Sequence, residues 1–433
     1  MNKISFSQLD ETLYHETLPN GLNVYILPKK GFHKTYATFT TKYGSVDNHF
    51  IPPGEKEPLL VPDGIAHFLE HKLFEDEKGD VFHDFSKQGA QANAFTSFTR
   101  TAYLFSTTAN VEKNLETLLD FVQHPYFTDE SVEKEKGIIG QEIKMYDDNP
   151  DWRAYFGTIA NMYHHHPVKI DIAGTIESIN NITKELLYKC YETFYHPSNM
   201  LLFVTGPVEP EKIMQLVKDN QAKKSFAKQG EIKRIFAAEP NEVAKKKDVI
   251  TMNVQMPKCF VGFKETRPDR QGKELLMREL AVEVLLQLMF GPSSANYEQL
   301  YNNGLIDDSF SFDYSAEKGF GFTLIGGDTK YPDQLAHTLE EMTKKFLNEP
   351  IQTEEVERVK KKKIGTFLSA LNSQEFIANQ FTRYQFNEMN LFDVVPALEK
   401  LTVEQIEAVA KDHFDFSRFT VCQVKPENYV EEV

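Results

Sequence analysis

Apolar positions recur with two periods along the chain. The runs LNVYILP (22–28), TYATFTTKYG (35–44) and ANAFTSFTRTAYLFSTT (92–108) are rich in β-branched and aromatic residues and read as strands. Apolar residues spaced three and four apart predict helices over 64–75, 110–123, 129–147 and 183–195. The same succession returns further on. Strands are expected over 249–256, 259–265 and, as a pair, within 307–327, with helices over 273–290, 332–348, 353–388 and 402–413.

Two segment pairs make this return specific. YFTDESVEKEKGIIGQEI (126–143) matches PIQTEEVERVKKKKIGTFL (350–368), with Thr128 over Thr353, 225 positions apart. ITKELLYKCYETFYHPSNMLLFVTG (182–206) matches LTVEQIEAVAKDHFDFSRFTVCQV (401–424), with Thr183 over Thr402, 219 apart. Each member of the second pair is a helix behind a Thr cap that leads into a β-rich strand. Similar order at a nearly constant offset argues for internal duplication. The expected class is therefore α+β, in two homologous halves. Residues 1–217 and 249–433 form the halves, and the polar, Lys-rich segment 218–248 is the linker between them.

Composition narrows the function. The chain has 433 residues, 41% of them hydrophobic, which is ample for more than one core. Its 48 Lys+Arg against 64 Asp+Glu leave a charge of −16, which argues against nucleic acid as a partner. No apolar run reaches the length of a membrane span, and the first residues lack the basic-then-apolar pattern of a secretory signal. Cys190, Cys259 and Cys422 are isolated, as expected of a reducing, cytoplasmic setting. Eleven of the 13 His lie at or before His196, so imidazole chemistry belongs to the first half.

That chemistry centres on His67-Phe68-Leu69-Glu70-His71. Asp63 stands where a helix cap is expected. On a helix, residues i and i+4 share a face, so His67 and His71 can bind one Zn²⁺. Glu70 lies on nearly the same side and can reach a metal-activated water as general base. A catalytic zinc needs a third protein ligand, and the helix ESVEKEKGIIGQEIKMY offers Glu133, Glu135 and Glu142. Glu135 and Glu142 are two turns apart, on a face that also carries Ile138 and Ile139 and is expected to point inward. Glu142 is the better ligand candidate, and Glu135 can support the site by hydrogen-bonding a ligand. His164-His165-His166 is a weaker metal candidate, because consecutive side chains point in different directions. Lys360 to Lys363 are expected to form a solvated helix face.

HFLEH followed about seventy residues later by EKEKGIIGQE resembles the inverzincin zinc peptidases of the pitrilysin, insulin-degrading enzyme and mitochondrial processing peptidase family. The resemblance extends through GAQANAFTSFTRTAYLFS, HHHPVKIDIAGTIESI and FYHPSNMLLFVTG, and is nearest to the short bacterial members. It implies two homologous α/β-sandwich domains, each an antiparallel-rich sheet with helices packed on it. It implies one Zn²⁺ per chain on His67, His71 and Glu142, with Glu70 as general base and Glu135 as a supporting carboxylate. It also implies that peptide substrate adds as a strand beside Asn93, Ala94 and Phe95.

The second half lacks the same chemistry. The HFLEH position falls near Leu286-Gln287-Leu288-Met289-Phe290, and Phe367 stands where Glu142 would be. Relatives of this kind bring an Arg and a Tyr from the second half to the substrate. Here those positions hold Tyr301 and Asp307. The expected function is a zinc endopeptidase that cleaves peptides or unfolded segments in a chamber, with peptide processing as one role. It would be completed by a homologous zinc-free partner in a heterodimer, or else act as a homodimer. The alternative is a non-catalytic assembly subunit built on the same fold.

Overall fold

The computed structural model describes residues 1–77 and 79–430. In the first half, strands β1 (Asn2–Phe6), β2 (Glu11–Thr17), β3 (Asn23–Pro28), β4 (Thr35–Thr41), β5 (Ala90–Thr96), β6 (Thr101–Thr107) and β7 (Met200–Gly206) form a seven-stranded sheet. Its order is β1-β2-β3-β7-β4-β6-β5, which leaves β5 on an edge. In the second half, β8 (Lys247–Thr251), β9 (Lys258–Lys264), β10 (Ser311–Glu317), β11 (Phe320–Asp328) and β12 (Phe419–Lys425) form a five-stranded sheet in the order β8-β12-β9-β11-β10. The main helices, in chain order, are α1 (Ile65–Leu73), α2 (Val111–Val122), α3 (Asp129–Asp147), α4 (Pro150–Met162), α5 (Lys184–Phe194) and α6 (Pro210–Ala222). They continue with α7 (Gly272–Phe290), α8 (Pro332–Leu347), α9 (Thr353–Ala370), α10 (Gln374–Phe386) and α11 (Val403–His413).

The duplication is visible in the strand order. β3-β7-β4-β6-β5 repeats as β8-β12-β9-β11-β10, and in both sheets the first pair is parallel and the others are antiparallel. The first sheet adds the β1–β2 hairpin at its far side. The run 92–108 resolves into the β5–β6 hairpin, turned through Ser97 and Arg100, where the Ser97 N–H donates to the Arg100 carbonyl at 2.8 Å. The helix expected over 353–388 is two helices, α9 and α10, separated at residues 371–373.

The chain divides into two compact units, neither of which is one continuous stretch. The first comprises residues 1–143, 171–236 and 370–386; the second comprises 144–170, 237–369 and the described residues from Asn387 on. Each unit therefore takes a helix from the other half of the sequence. In the first unit, Tyr25 of β3 and Phe203 of β7 meet Phe381 of α10, with ring centroids 4.9 and 4.8 Å apart. The Gln374 side chain donates to the carbonyls of Lys34 and Thr205. On the opposite face, Tyr103 is in register with Phe39 and Leu202 and meets Phe121 of α2 at 5.7 Å. Helices on both faces explain why β4 and β7 are buried along their whole length instead of alternating. In the second unit, α4 lies on β9 and β12. A Cβ on Gly262 would come within 2.1 Å of Met162 Cε, so a glycine there permits the close approach.

The segment expected to link the halves is partly structured. α6 extends to Ala222, Lys233–Arg234 pairs with Phe50–Ile51, and β8 starts at Lys247. Cys190, Cys259 and Cys422 are free and buried, and burial pushes each thiol up to about 12. Among the described residues no helix is long and apolar enough to cross a membrane.

Candidate metal centre

Helix α1 is fixed at its start by backbone geometry rather than by the expected Asp63 cap. Gly64 is the N-cap residue at φ +87°, with no side-chain cap, and the Asp63 carboxylate accepts from Asn48 Nδ2 at 2.8 Å. A Cβ on Gly64 would lie 2.3 Å from the Ala173 carbonyl oxygen, so only glycine fits this left-handed turn. From there the helix carries Phe68 and Leu69 into the core, both 0% exposed. His67, Glu70 and His71 then project from one side.

Helix α3 supplies the carboxylates. Its inward stripe is Val132, Glu135, Ile139 and Ile143. Ile138, expected on that stripe, instead points out at 47% exposure, because it stands about 60° from Glu135 on the side away from Val132, Ile139 and Ile143. Glu133 is exposed and pairs with Lys136.

Three donor groups converge. His67 Nε2 is 3.7 Å and His71 Nε2 3.6 Å from Glu142 Oε2. The ligating atoms of His67, His71 and Glu142 all lie within 4.8 Å of one another. Such separations fit three corners of a tetrahedron with bonds of about 2.0–2.2 Å. Burial, followed by the neighbouring His71, holds His67 down to about 3, so its imidazole is neutral, the form that ligates. Two nitrogens and one carboxylate oxygen form a donor set suited to zinc.

Glu135 lies behind His71. Glu135 is buried, and its Oε1 accepts from His71 Nδ1 at 3.0 Å, which fixes the ring and turns Nε2 toward Glu142. Burial alone would lower the pKa of His71, but the Glu135 hydrogen bond and the charges of Glu70, Glu135 and Glu142 outweigh it and raise the pKa. Glu70 is buried beside the triad. Burial pushes it up to about 7, and the Glu142 charge adds to this while the Thr96 hydrogen bond and His71 oppose it.

The edge strand β5 reaches this site through Thr96, whose hydroxyl donates to Glu70 Oε2 at 2.6 Å. Asn93, Ala94 and Phe95 precede it on the same strand. The Asn93 side chain accepts from the Ala94 N–H at 2.9 Å, and the Arg100 guanidinium lies 5.8 Å from the centre of the Phe95 ring. Thr96 escaped the sequence reading. A Thr in a strand is ordinary, and only the β5 register places it against α1.

The other metal candidate has a different job. Glu239 accepts from the backbone N–H groups of His164, His165 and His166 at 2.8, 2.7 and 2.9 Å. Lys264 Nζ completes this carboxylate nest at 2.6 Å. The lysine run is also not uniformly solvated. Lys360, which occupies the position of Glu135 in the repeat, is buried and donates to the Leu401 and Glu399 carbonyls and to Glu357. Phe367, Leu286, Met289 and Phe290 are buried as well, so the second half carries apolar packing where the first carries His67, Glu70, His71 and Glu142. Tyr301 is exposed, and Asp307 accepts from the Ser309 backbone N–H and hydroxyl.

The family model described as Insulinase (Peptidase family M16) matches residues 61–176, and the one described as Peptidase M16 inactive domain matches 181–363. The uncharacterized zinc protease YmfH of Bacillus subtilis is 64% identical over 425 residues, covering 98% of this chain and 99% of its own length. The zinc protease PqqE of Helicobacter pylori is 25% identical over 426 residues, covering 95% of this chain and 92% of its own. A crystal structure of an M16-like peptidase from Alicyclobacillus acidocaldarius superposes with a TM-score of 0.93 at 42% identity, covering 96% of this chain and 99% of that one.

Proposed function

The chain belongs to the insulinase family, peptidase family M16, and on that premise we propose that it is a zinc-dependent endopeptidase acting on peptides or unfolded segments. The observation that carries this reading is the convergence of His67, His71 and Glu142 beside a buried Glu70. The three converging residues would hold one zinc per chain, and Glu135 would orient His71. A bound zinc supplies Lewis acidity to the scissile carbonyl and to the attacking water. Glu70 takes the water proton and later hands it to the leaving amine. Peptide adds to the free edge of β5 at Asn93, Ala94 and Phe95, where backbone pairing gives affinity and alternate side chains give preference.

Among the described residues the second half gathers no such donor group, and Tyr301 and Asp307 stand where the Arg/Tyr pair is expected. Loss of one donor to the developing oxyanion costs about 10²–10³ in rate. A homologous zinc-free chain bearing that pair is therefore the natural partner, and peptide maturation in the cytoplasm the natural setting.

The test measures zinc content and cleavage of a quenched peptide library, with and without a candidate partner. Glu70→Gln is expected to keep its zinc and lose turnover. Full turnover by Glu70→Gln, or equal turnover by the chain alone, would overturn the base or the partner respectively. Zinc binding without cleavage under either condition would instead favour a non-catalytic assembly subunit.

A further inference from the structure

A general base must present one particular oxygen to its water, and a carboxylate on a Glu side chain rotates unless something holds it. Among the described residues, one hydrogen-bond donor reaches Glu70: the Thr96 hydroxyl, at 2.6 Å from Oε2. The charges of His71 and Glu142 also act on Glu70, but neither donates a hydrogen bond to it.

Thr96 has a second hydroxyl neighbour. Its Oγ1 lies 3.4 Å from Thr101 Oγ1, directly across the β5–β6 register, and Thr101 spends its own hydroxyl proton on the Tyr43 carbonyl at 2.9 Å. Thr101 is fully buried, and its oxygen can accept from Thr96 only when Thr96 is not donating to Glu70.

We propose that Thr96 is a positioning residue for Glu70. Its hydroxyl engages Oε2 and leaves Oε1 as the oxygen that faces the water. This deepens the peptidase reading above and rests on it. A hydroxyl suits the task better than an N–H. While Glu70 is a carboxylate, Thr96 donates to it. Once Glu70 carries the proton, Thr96 can accept at Oγ1 and turn its own hydrogen toward Thr101. The base thus keeps its partner in both states that turnover requires. Thr96 also ends the edge strand β5, so peptide pairing along that edge acts on the residue that aims the base.

The experiment uses the zinc-loaded chain, alone and with a candidate homologous partner, and the quenched peptide library, comparing the parent with Thr96→Val, Thr96→Ser and Glu70→Gln. Thr96→Val keeps the shape and removes the hydroxyl. It is expected to lower kcat by about 10- to 100-fold, the worth of one hydrogen bond to a charged group, with KM and zinc content unchanged. Thr96→Ser is expected to restore most of the rate. Parental kcat in Thr96→Val beside an inactive Glu70→Gln overturns the proposal alone, whereas turnover by Glu70→Gln overturns the peptidase reading with it. A readout independent of turnover is the crystal structure of Thr96→Val. There the Glu70 carboxylate is expected to occupy more than one rotamer, and a single ordered carboxylate in the parental position overturns the proposal.

Discussion

At the scale of single residues, the centre depends on groups that hold other groups. Glu135 does not reach the converging atoms, yet its bond to His71 Nδ1 selects the tautomer and ring angle that aim Nε2. Glu135→Ala is therefore expected to weaken zinc binding by about 10- to 100-fold, as read by competition with a chromophoric chelator. Parental affinity would reduce Glu135 to a buried helix carboxylate. Gly64 acts one step further out. With φ +87° and the Ala173 carbonyl 2.3 Å from where a Cβ would sit, Gly64→Ala must shift the start of α1. We expect a loss of about 2 kcal/mol or more in stability, measured by urea unfolding, together with weaker zinc binding because His67 follows one turn later.

At the scale of elements, what was legible in the sequence depended on whether a period alone determined it. The apolar spacing located α1, α2 and α3 to within a residue or two, and the pentad supplied both histidines, because i,i+4 geometry is local. Periodicity cannot say which sheet a helix covers. α4 and α10 follow α3 and α9 in the repeat, yet each packs on the sheet of the other half of the sequence. Thr96 was hidden for the same reason, since its role comes from register and not from spacing. The loop at His164–His166 shows how a suggestive motif resolves into structure. Burial would raise the pKa of Glu239, but Lys264 and three backbone N–H groups outweigh it and hold the carboxyl down to about 2. A carboxylate so depressed contributes stability above its ordinary value of 4.5, and that contribution is lost as pH falls toward 2. Glu239→Gln is therefore expected to be less stable than the parent at neutral pH by about 1–3 kcal/mol, with the difference shrinking below pH 4.5. Urea titrations at stepped pH would show this, and a pH-independent difference would contradict it. On α10, Phe381 is fully buried between Tyr25 and Phe203. Phe381→Ala is expected to cost about 3–5 kcal/mol in the same assay.

At the scale of the whole molecule, the exchange of helices constrains how the duplicated halves can exist. The strand orders match closely enough that one ancestral sheet explains both, and each sheet is sandwiched only when a helix from the other half is present. In the first unit, removing α10 uncovers the face that bears Tyr25, Phe203 and Tyr36 along β3, β7 and β4. In the second, removing α4 uncovers β9 beside Gly262, where a glycine offers no side chain to shield the strand. Exposed apolar sheet faces of this extent lead to association or loose packing rather than to a stable domain. A chain of residues 1–236 produced alone would keep His67, His71 and Glu142 but lack α10. It is expected to melt without cooperativity and to bind zinc weakly, although every proposed ligand is present. Residues 237–433 alone, lacking α4, are expected to fare no better. Co-production of the two pieces supplies both helices, and should restore a soluble complex with one zinc and a cooperative transition. If residues 1–236 alone melted cooperatively at the temperature of the intact chain, α10 would be a passenger on the first sheet, and the proposed zinc site would depend on its own half of the sequence alone.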